Sequence, residues 1–493
     1  PDTGAIVFGR HGTRIETPLL RELARRAAAD LQARGVTPGT PVAGLIDNSL
    51  EFLALWWGAA YAGAEFVPIN TRLRGDSVRH VVERTAPALL LAQPAGLDLA
   101  RSSVGPDREV LDATRWLAGL DGYGMPRVSA EGGGCVIFTS GTTGRPKGVR
   151  LPSETQVRHA RAYSTDIVRL DAHENSYTCL PLFHVTAVGV TMATLIHGGT
   201  VHVDERFSVS RFWQRMAETG AVLFPYVGSI LSLLLKDDRP VPRHQTRVAI
   251  GGAAPEQIFR PFEQRFGVEL LETYGQTELG GIWLVNHERV PGSIGRPCPR
   301  AEARVVPVDG VPAGRGELQF RPYDRWDMMA GYLDPRETAE VFDGDWYRTR
   351  DLVEQRPDGS YRFVGRLSDC IRRRGENVSA FEVELALLRH PAVAEVAAVG
   401  VDSDLGEQDI AVYYRLKPTA RVGPAELRAW AADHLGDFML PRYLREVDDL
   451  PKTETQRVRK PELVARIGLA GAYDAERADA ERDGASAGLE GSR

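Results

Sequence analysis

The sequence has few cysteines, no marked excess of charge of either sign and no apolar run long enough to cross a bilayer. Its four cysteines stand far apart, at positions 135, 179, 298 and 370, and none belongs to a C-x-x-C pair. This spacing argues against both a disulfide framework and a zinc site. We therefore expect reduced thiols and a cytoplasmic location.

The charge balance gives no reason to expect nucleic acid or an anionic membrane surface as a partner, since 60 basic residues oppose 66 acidic ones. The most apolar stretch, residues 52–64, ends at Glu65 and is too short for a membrane span. It predicts a buried helix instead. A chain of 493 residues should divide into at least two domains.

Apolar helical segments alternate with short β-branched strands through the first two-thirds of the chain. Helical spacing over 19–34 is followed by a predicted strand at 41–47, a helix from about Ser49 and a strand at 88–93. This alternation predicts α/β layers with parallel sheets. From Ala301 onward, short alternating segments separated by Gly/Pro turns predict a small barrel-like or antiparallel β subdomain.

The pattern changes again after residues 365–369 and becomes that of a compact α+β unit. Helices are predicted at 380–389 and 424–435, and strands at 393–401 and 409–415. Residues 474–493 are charged and repetitive, without apolar periodicity, and predict a disordered tail, which we place at 468–493.

The predicted fold class is therefore α/β. A large N-terminal domain of layered α/β sheets with a small β-barrel-like subdomain should span 1–368. A small mobile α+β C-terminal domain should span 369–467, followed by the tail.

The strongest functional signal is the segment CVIFTSGTTGRPKGV, residues 135–149. Glycines let the backbone approach a ligand closely, backbone N–H groups in a tight turn bind anionic oxygens, and Lys147 adds a point charge. A plain surface loop is the alternative, but this order after an apolar strand is far more specific. The other residues expected to bind a polyphosphate are Thr139, Ser140, Gly141, Thr142, Thr143 and Gly144.

The order of these residues differs from that of a P-loop, because no Ser or Thr follows Lys147. It resembles the signature loop of the adenylate-forming (ANL) superfamily, which includes acyl-CoA synthetases, peptide-synthetase adenylation domains and firefly luciferases. Further motifs follow in the family's order, so that the resemblance covers roughly residues 10–467.

The resemblance implies a role for each motif. Glu278 would bind magnesium and Thr277 would contact the α-phosphate, which agrees with the preference of Mg²⁺ for carboxylates and substrate phosphates. Asp351 would hold both ribose hydroxyls, Arg366 would reach ribose and phosphate, and Asp369 would be the hinge of the C-terminal domain. The remaining nucleotide-binding residues implied are Gly251, Gly252, Ala253 and Ala254 along the adenine, and Tyr274, Gly275 and Gln276.

One arginine departs from the family pattern, and a run of three arginines has two possible roles. Arg350 stands where the family usually has glycine, so we expect the local backbone geometry to differ. The loop containing Gly375 would line the pantetheine tunnel for coenzyme A. The three arginines at 372–374 either bind the phosphates of coenzyme A or form a solvated basic loop.

The acyl pocket is implied by residues 181–184 and 224–228. The ring of Phe183 would gate this pocket. We assign His184 to the same gate, with the role of a general base as the alternative. No carboxylate stands here to bind a substrate ammonium group, which favours a carboxylic acid without an α-amino group. Gly280 and Gly281 would leave space for a bulky hydrophobic acid. The other expected wall residues are Phe224, Tyr226 and Val227.

The last family motif, P-x-T-x-[TS]-G-K-[IV], is altered here to PKTETQRV. Gln456 replaces the glycine and Arg457 the catalytic lysine, while Lys452 and Lys460 lie out of register. A planar guanidinium does not substitute readily for a compact ammonium. Losing one preorganised stabiliser of developing charge typically costs about 10²–10³-fold in rate.

These features predict an AMP-forming acyl-CoA ligase, an acid–thiol ligase that uses ATP, Mg²⁺ and coenzyme A. It should form acyl-adenylates poorly yet use an acyl-adenylate supplied by a partner adenylating enzyme. The alternatives are a full two-step synthetase in which Arg457 or Lys460 substitutes, an adenylating enzyme that serves a carrier-protein thiol or an amine, and an inactive nucleotide or acyl-CoA binder. The oligomeric state is open, with a homodimer as one candidate.

Overall fold

The computed structural model describes residues 3–9, 12–73, 75–105, 108–124, 126–129, 132–139, 146–373, 376–403, 408–452 and 458–478, with backbone alone at 76, 229, 372, 376 and 377. The chain divides into two compact units. The first comprises Pro1–Ala303, Phe320–Tyr347 and Pro357–Tyr361; the second comprises Arg304–Gln319, Arg348–Arg356 and Arg362–Arg493.

Helices are distributed over both units. Within the described residues they are α1 Thr17–Ala33, α2 Leu50–Ala62, α3 Gly75–Thr85, α4 Leu97–Ser103, α5 Ala113–Ala118, α6 Ser153–Ala162, α7 Val185–Ile196, α8 Phe212–Thr219, α9 Gly228–Leu235, α10 Glu256–Phe266, α11 Pro335–Ala339, α12 Ala380–Leu388, α13 Pro424–Ala432 and α14 Lys460–Glu462.

Strands form most of the remaining regular structure. Over the same described residues they are β1 Ala5–Phe8, β2 Arg14–Glu16, β3 Pro41–Leu45, β4 Glu65–Pro68, β5 Leu89–Ala92, β6 Glu109–Asp112, β7 Gly134–Thr139, β8 Lys147–Pro152, β9 Ser176–Thr178, β10 Thr200–Val203, β11 Leu223–Val227, β12 Val248–Gly252, β13 Glu269–Gln276, β14 Gly281–Val285, β15 Arg296–Pro297, β16 Ala301–Val306, β17 Arg315–Pro322, β18 Gly331–Tyr332, β19 Phe342–Asp343, β20 Trp346–Gln355, β21 Tyr361–Arg366, β22 Cys370–Arg373, β23 Glu376–Ser379, β24 Val393–Asp402, β25 Gln408–Leu416, β26 Tyr443–Glu446 and β27 Tyr473–Asp474.

The helix predicted in the most apolar stretch is α2, and it is buried along most of its length. The Ser49 side chain accepts a hydrogen bond from the backbone N–H of Phe52, and Gly63 ends the helix with φ +76°. These are the favoured signals for a helix start and stop. At Gly58 a Cβ atom would lie 2.6 Å from Cβ of Ala27, so the glycine allows α1 and α2 to pack closely.

Two large sheets organise the first unit. In the described parts of the chain, nine strands form a sheet in the order β15–β14–β13–β12–β11–β9–β10–β1–β2, and seven form another in the order β18–β8–β7–β4–β3–β5–β6. The central strands pair in parallel, as the alternation of helices and strands predicted. The residues of β3 and β5 are almost all buried, as expected for parallel strands covered on both faces.

The strands predicted after Ala301 form a separate sheet. Its order is β16–β17–β20–β19, with β21 beside β20. The residues of β16, β17, β20 and β21 are divided between the two units. The mixed α/β class and the large N-terminal and small C-terminal parts are thus confirmed.

The second unit contains a sheet in the order β24–β25–β26–β27 and a hairpin of β22 with β23. Its core includes Val396, Val412 and Leu444. Strand β27 lies within the predicted tail, where it pairs with β26, and Ala475 is fully buried. The tail prediction is therefore wrong for these residues, because a two-residue strand leaves no periodicity in the sequence; residues 479–493 lie outside the described residues.

No helix among the described residues is long and apolar enough to cross a membrane. All four cysteines lie in described segments and are free, with three of them buried.

A buried ion-pair network fixes β25 to its neighbours in the second unit. Asp409, 5% exposed, contacts Nε of Arg373 at 3.3 Å and Nη1 of Arg442 at 2.8 Å. Removing one partner from a buried pair leaves an uncompensated charge.

We expect Asp409→Asn to lower the stability of this unit by about 3 kcal/mol. Hydrogen exchange in peptides from β24 and β25 should accelerate accordingly. The exposed partner Glu476, 3.0 Å from Arg442, supplies the control, because Glu476→Gln should change exchange little. Equal exchange in the two variants would contradict a stabilising role for the network.

Candidate functional site

The predicted phosphate segment is a β-hairpin in the first unit. Strands β7 and β8 pair antiparallel with Thr139 opposite Lys147, so the two residues that flank the loop lie side by side. β7 also pairs in parallel with β4, and Cys135 and Val136 are buried, which anchors the hairpin in the sheet. The predicted loop residues Ser140, Gly141, Thr142, Thr143 and Gly144 lie outside the described residues.

Lys147 is held in a polar and aromatic environment at the start of β8. Its Nζ lies 3.6 Å from Oε1 of Glu337 and 5.4 Å from the ring centre of Tyr332, and its side chain is only 10% exposed. A cation over the face of a tyrosine ring is attracted by the ring quadrupole. The lysine is thereby fixed beside the hairpin.

Tyr332 also contacts the second predicted motif. Its hydroxyl donates a 2.9 Å hydrogen bond to Oε1 of Glu278, and the backbone N–H of Met329 donates to the carbonyl oxygen of Glu278. One tyrosine ring thus brings together Lys147 and Glu278, which lie 131 positions apart in the chain. Thr277 is half-buried in the same turn, which the N–H of Gly280 closes by donating to the carbonyl of Thr277.

Sequence reasoning missed Tyr332 and Glu337. Tyr332 reaches the site because β18 pairs with β8, placing it opposite Val149. A two-residue strand gives too short a pattern to predict this pairing from sequence.

Three adjacent parallel strands shape the loop predicted to lie along adenine. Tyr226, Gly251 and Glu272 stand opposite one another on β11, β12 and β13. A Cβ atom at Gly251 would lie 2.1 Å from the carbonyl oxygen of Tyr226, so only glycine fits. Beyond Gly252, which is half-buried, Ala253 has φ +63°, a conformation that non-glycine residues adopt at a cost.

Glu272, which the sequence analysis missed, supports that loop from beneath. It is 6% exposed and accepts hydrogen bonds from the Tyr226 hydroxyl at 2.6 Å and from the N–H of Ala254 at 3.2 Å. Burial raises the pKa of Glu272 to about 7, although the hydrogen bond from Tyr226 opposes the shift. A carboxyl group that changes charge near neutral pH therefore lies directly below residues 251–254.

The predicted wall residues on β11 do not share one environment. Phe224 is fully buried, with its ring 4.9 Å from that of Phe212, so it packs the core rather than lining a pocket. Val227 is exposed. Tyr226 is buried and bonded to Glu272. The sequence shows only an apolar run here, and such a run does not distinguish a core from a pocket.

The residues just before Glu278 are fixed by a bulged hairpin of β13 with β14. The register shifts between Tyr274 and Gly275, where a Cβ atom would lie 2.0 Å from the carbonyl oxygen of Gly281. The ring of Tyr274 stacks on Phe320 at 6.2 Å. The Gln276 side chain accepts a 2.8 Å hydrogen bond from the Tyr347 hydroxyl.

Phe183 and His184 precede α7 and contact each other. Their ring centres are 4.8 Å apart, and Phe183 is 5% exposed. Protein side chains fill the space that Gly280 and Gly281 were expected to leave open. A Cβ atom at Gly281 would lie 2.0–2.3 Å from ring atoms of His159, and one at Gly280 would lie 2.6 Å from Cγ2 of Thr155.

In the second unit, the two predicted ribose-binding residues lie together. Asp351 is 3% exposed, and its Oδ1 is 3.4 Å from Nε of Arg366. The N–H of Asp351 donates to the hydroxyl of Thr349. The carboxylate is therefore fixed in position by its own backbone and by a cation.

Arg350, where we expect the backbone geometry to differ from the family's, has a backbone conformation that is unusual for a non-glycine residue. Arg350 has φ +58°, the left-handed conformation that glycine would adopt readily. This conformation costs a non-glycine residue about 1–2 kcal/mol. The buried Glu317 stabilises it by accepting hydrogen bonds from the N–H of Arg350 at 3.2 Å and from Nε of Arg348 at 3.1 Å.

The proposed role of the arginine run in binding coenzyme A is wrong for its middle member. Arg373 is 5% exposed, pairs with Asp409 and donates to the carbonyl oxygen of Leu440, so it stabilises the unit. Gly375 and the side chain of Arg372 lie outside the described residues.

Both lysines near the altered last motif are ion-paired. Nζ of Lys460 lies 2.8 Å from Glu384 and 3.7 Å from the predicted hinge residue Asp369. Nζ of Lys452 lies 2.8 Å from Glu395. Lys452 also forms an isolated bridge with Val458. Arg457 itself lies outside the described residues.

The raised pKa of Glu272 makes stability depend on pH. The folded state binds this proton more tightly than the unfolded state, whose carboxyl has a pKa near 4.5. Stability should therefore fall as pH rises from about 4.5 to about 7. Urea unfolding at pH 5 and pH 8 measures this loss of stability. We expect the loss to be smaller by a few kcal/mol in Glu272→Gln than in the wild type. Glu269→Gln, at the exposed end of the same strand, should lose stability between these pH values as the wild type does. An equal loss of stability in the Glu272 and Glu269 variants would refute the assignment of the effect to Glu272.

Comparison with protein-family models matches residues 1–333 to the AMP-binding enzyme model and residues 382–457 to the AMP-binding enzyme C-terminal domain. Sulfoacetate–CoA ligase of Cupriavidus necator is 33% identical, over 94% of this chain and 93% of the relative. Crotonobetaine/carnitine–CoA ligase of Salmonella typhimurium is 26% identical, over 90% of this chain and 92% of the relative.

Solved structures share the fold. ATP-bound MatB from Rhodopseudomonas palustris has a TM-score of 0.84 at 24% identity, covering 95% of this chain and 97% of that one. o-Succinylbenzoate CoA synthetase from Bacillus subtilis, in complex with its acyl-adenylate intermediate, has a TM-score of 0.83 at 22% identity, covering 93% and 94%. The family-model matches and the relative at 33% identity show that this chain belongs to the AMP-binding enzyme family.

Proposed function

We propose that this protein is an acyl-CoA ligase that forms acyl-adenylates poorly and acts mainly in the second half-reaction, from acyl-adenylate and coenzyme A to thioester. The observation that carries the ligase assignment is the contact of Tyr332 with both Lys147 and Glu278, which joins the phosphate hairpin to the following motif. Family membership and the names of the relatives support the same reaction class.

In the complete reaction, a carboxylate oxygen attacks the α-phosphorus of ATP and pyrophosphate leaves. The thiolate of coenzyme A, having lost its proton, then attacks the acyl carbon and AMP leaves. Within this chain, Lys147 and the hairpin would hold phosphates, and Thr277 would contact the α-phosphate. Asp351 and Arg366 would hold the ribose. Catalysis would consist of positioning and charge stabilisation rather than covalent attack by a side chain.

The side chains fit a magnesium ion that takes most of its ligands from the nucleotide. Among the described residues, no group of three or more His, Cys, Asp and Glu is arranged to hold a metal. The carboxylate of Glu278 is half-buried beside the hairpin. Magnesium commonly takes one or two carboxylates together with water and substrate phosphates. Glu278 would hold it there, and the ion would neutralise phosphate charge.

Arg457 in place of the motif lysine is the feature that we expect to weaken adenylation. The ion pairs of Lys460 and Lys452 strengthen it, because neither lysine can replace the missing ammonium without losing its partner. The partner of Lys460 is Glu384. Burial raises the pKa of Glu384, and the positive charge of Lys460 opposes that shift. Leaving a buried carboxylate unpaired is costly.

The substrate we propose is a carboxylic acid without an α-amino group. The segment of Phe183 and His184 contains no carboxylate to bind an ammonium. The acids in the names of the two relatives, sulfoacetate and crotonobetaine or carnitine, also lack an α-amino group. The acyl-adenylate would come from a partner adenylating enzyme.

The first prediction separates the half-reactions. Wild-type protein should show negligible ATP–pyrophosphate exchange with a panel of acids, yet form thioester from synthetic acyl-adenylates and coenzyme A. Arg457→Lys should raise exchange by about 10²-fold or more, because it restores a compact ammonium. Thioester formation from the supplied adenylate should stay the same.

Arg457→Ala is the matched control and should show no gain in exchange. Strong exchange by the wild type would mean that Arg457 supports adenylation. Absence of thioester from every adenylate would refute the ligase assignment itself.

A second prediction concerns the strained residue next to Asp351. Arg350→Val should displace the backbone, since β-branched residues are strongly disfavoured at positive φ, and should weaken adenylate binding about tenfold or more. Arg350→Gly should bind adenylate as the wild type does, because glycine adopts this conformation without strain. Calorimetry with AMP gives both affinities. Equal affinities in the valine and glycine variants would show that the conformation of residue 350 does not position Asp351.

A further inference from the structure

A small uncharged cavity lies in the first unit behind the phosphate hairpin. The space open to the centre of a water molecule is ≈ 20 Å³, enough for about one or two water-sized groups. None of the described residues that line it is Asp, Glu, Lys or Arg. The wall residues that matter here are Trp56, Ile137, His159, Val185, Gly189 and Gly280.

The cavity lies where an acyl group would continue from the reacting carboxylate. Ile137 is two residues before Thr139 and on the same face of β7, a separation of about 7 Å. Gly280 is two residues after Glu278, and Val185 directly follows His184. Three separate elements thus lead from the predicted phosphate, metal and gate residues into one space.

The imidazole of His159 forms one wall of this space. It is 4% exposed and covers Gly281 so closely that any Cβ atom there would overlap the ring. A Cβ atom at Gly189 would lie 3.2 Å from Nε2 of the same ring. Burial and the nearby Arg300 lower the pKa of His159 to about 3, so the ring is neutral at physiological pH.

Trp56 adds a second rigid wall. Its side chain is 4% exposed, and its ring stacks on Phe66 at 6.3 Å and contacts the edge of Phe52 at 5.9 Å. Side chains packed on this much aromatic surface cannot move aside without loss of contact. The rings of His159 and Trp56 therefore limit the size of a group that fits the cavity, and no charged side chain among the described lining residues selects it.

We propose that this cavity is the acyl pocket and that His159 and Trp56 restrict the enzyme to short acids, with about two to four carbon atoms. This inference rests on the proposed ligase function and reverses the bulky acid expected from Gly280 and Gly281. A Cβ atom would meet Thr155 at Gly280 and His159 at Gly281, so the absence of side chains at these glycines leaves no room for a bulky group.

The test uses a series of acyl chains from acetyl to decanoyl in two forms. Non-hydrolysable acylsulfamoyl adenosines measure binding by calorimetry, and the corresponding acyl-adenylates with coenzyme A measure thioester formation. The wild type should favour the short chains and lose at least about tenfold in both measurements by octanoyl. His159→Ala should recover at least about tenfold of the octanoyl affinity, because it removes the ring from the pocket.

Tyr163→Phe is the matched control. Its ring packs edge-on against His159 at 5.9 Å but does not line the cavity, and its buried hydroxyl has no hydrogen-bond partner among the residues that the structure describes. The control should keep the wild-type profile of chain lengths. Trp56→Leu opens the cavity from the opposite side. It replaces His159→Ala as the test variant if that protein does not fold.

Each outcome decides a different claim. Equal binding of decanoyl and acetyl analogues by the wild type would overturn the size limit. An unchanged profile in the folded His159 and Trp56 variants would overturn the roles of these residues. Selective binding of short analogues without thioester formation would uphold the pocket while refuting the ligase function on which it rests.

Discussion

The positions of Lys147 and Glu278 depend on the short strand β18, which places Tyr332 beside β8. The tyrosine ring receives Lys147 on its face while its hydroxyl bonds Glu278, so one side chain sets the spacing between a cation and a carboxylate. Lys147 stands at the start of β8, and Glu278 lies in the turn between β13 and β14. Tyr332 gives both a fixed position before any nucleotide binds, and preorganised charge of this kind avoids reorganisation during the reaction.

Much of the fold was predictable because its signals are long and periodic. The buried helix at α2 and the parallel strands of the first unit could be read from apolar patterns. The contributions of Glu272, Glu317 and Tyr332 could not, because each depends on a partner far away in sequence: Tyr226, Arg350 and Lys147 respectively. Nor could the sequence show that Phe224 belongs to the core, since an apolar run does not reveal which of its side chains line a pocket. Motif order predicts the site, whereas the contacts beneath it are visible only in the folded structure.

The two arginines predicted to depart from the family pattern, Arg350 and Arg457, are expected to differ in consequence. Arg350 occupies a position that demands left-handed backbone, and the buried carboxylate of Glu317 compensates for the strain. At position 457, which lies outside the described residues, the proposed demand concerns the shape of a charge, and the two nearby lysines are already paired. Backbone strain can be offset locally; the geometry of a reacting charge cannot. This difference is why only the second replacement is proposed to alter the chemistry.

The overlap between the His159 ring and the space above Gly281 constrains how the sequence can change. Any side chain at position 281 requires a smaller residue at position 159, while a smaller residue at 159 alone leaves a void beside the bare backbone of the glycine. The two positions are 122 residues apart in the chain, yet they share one volume. Because Gly281 also has φ +153°, which disfavours any side chain, relatives that keep the histidine are expected to keep the glycine.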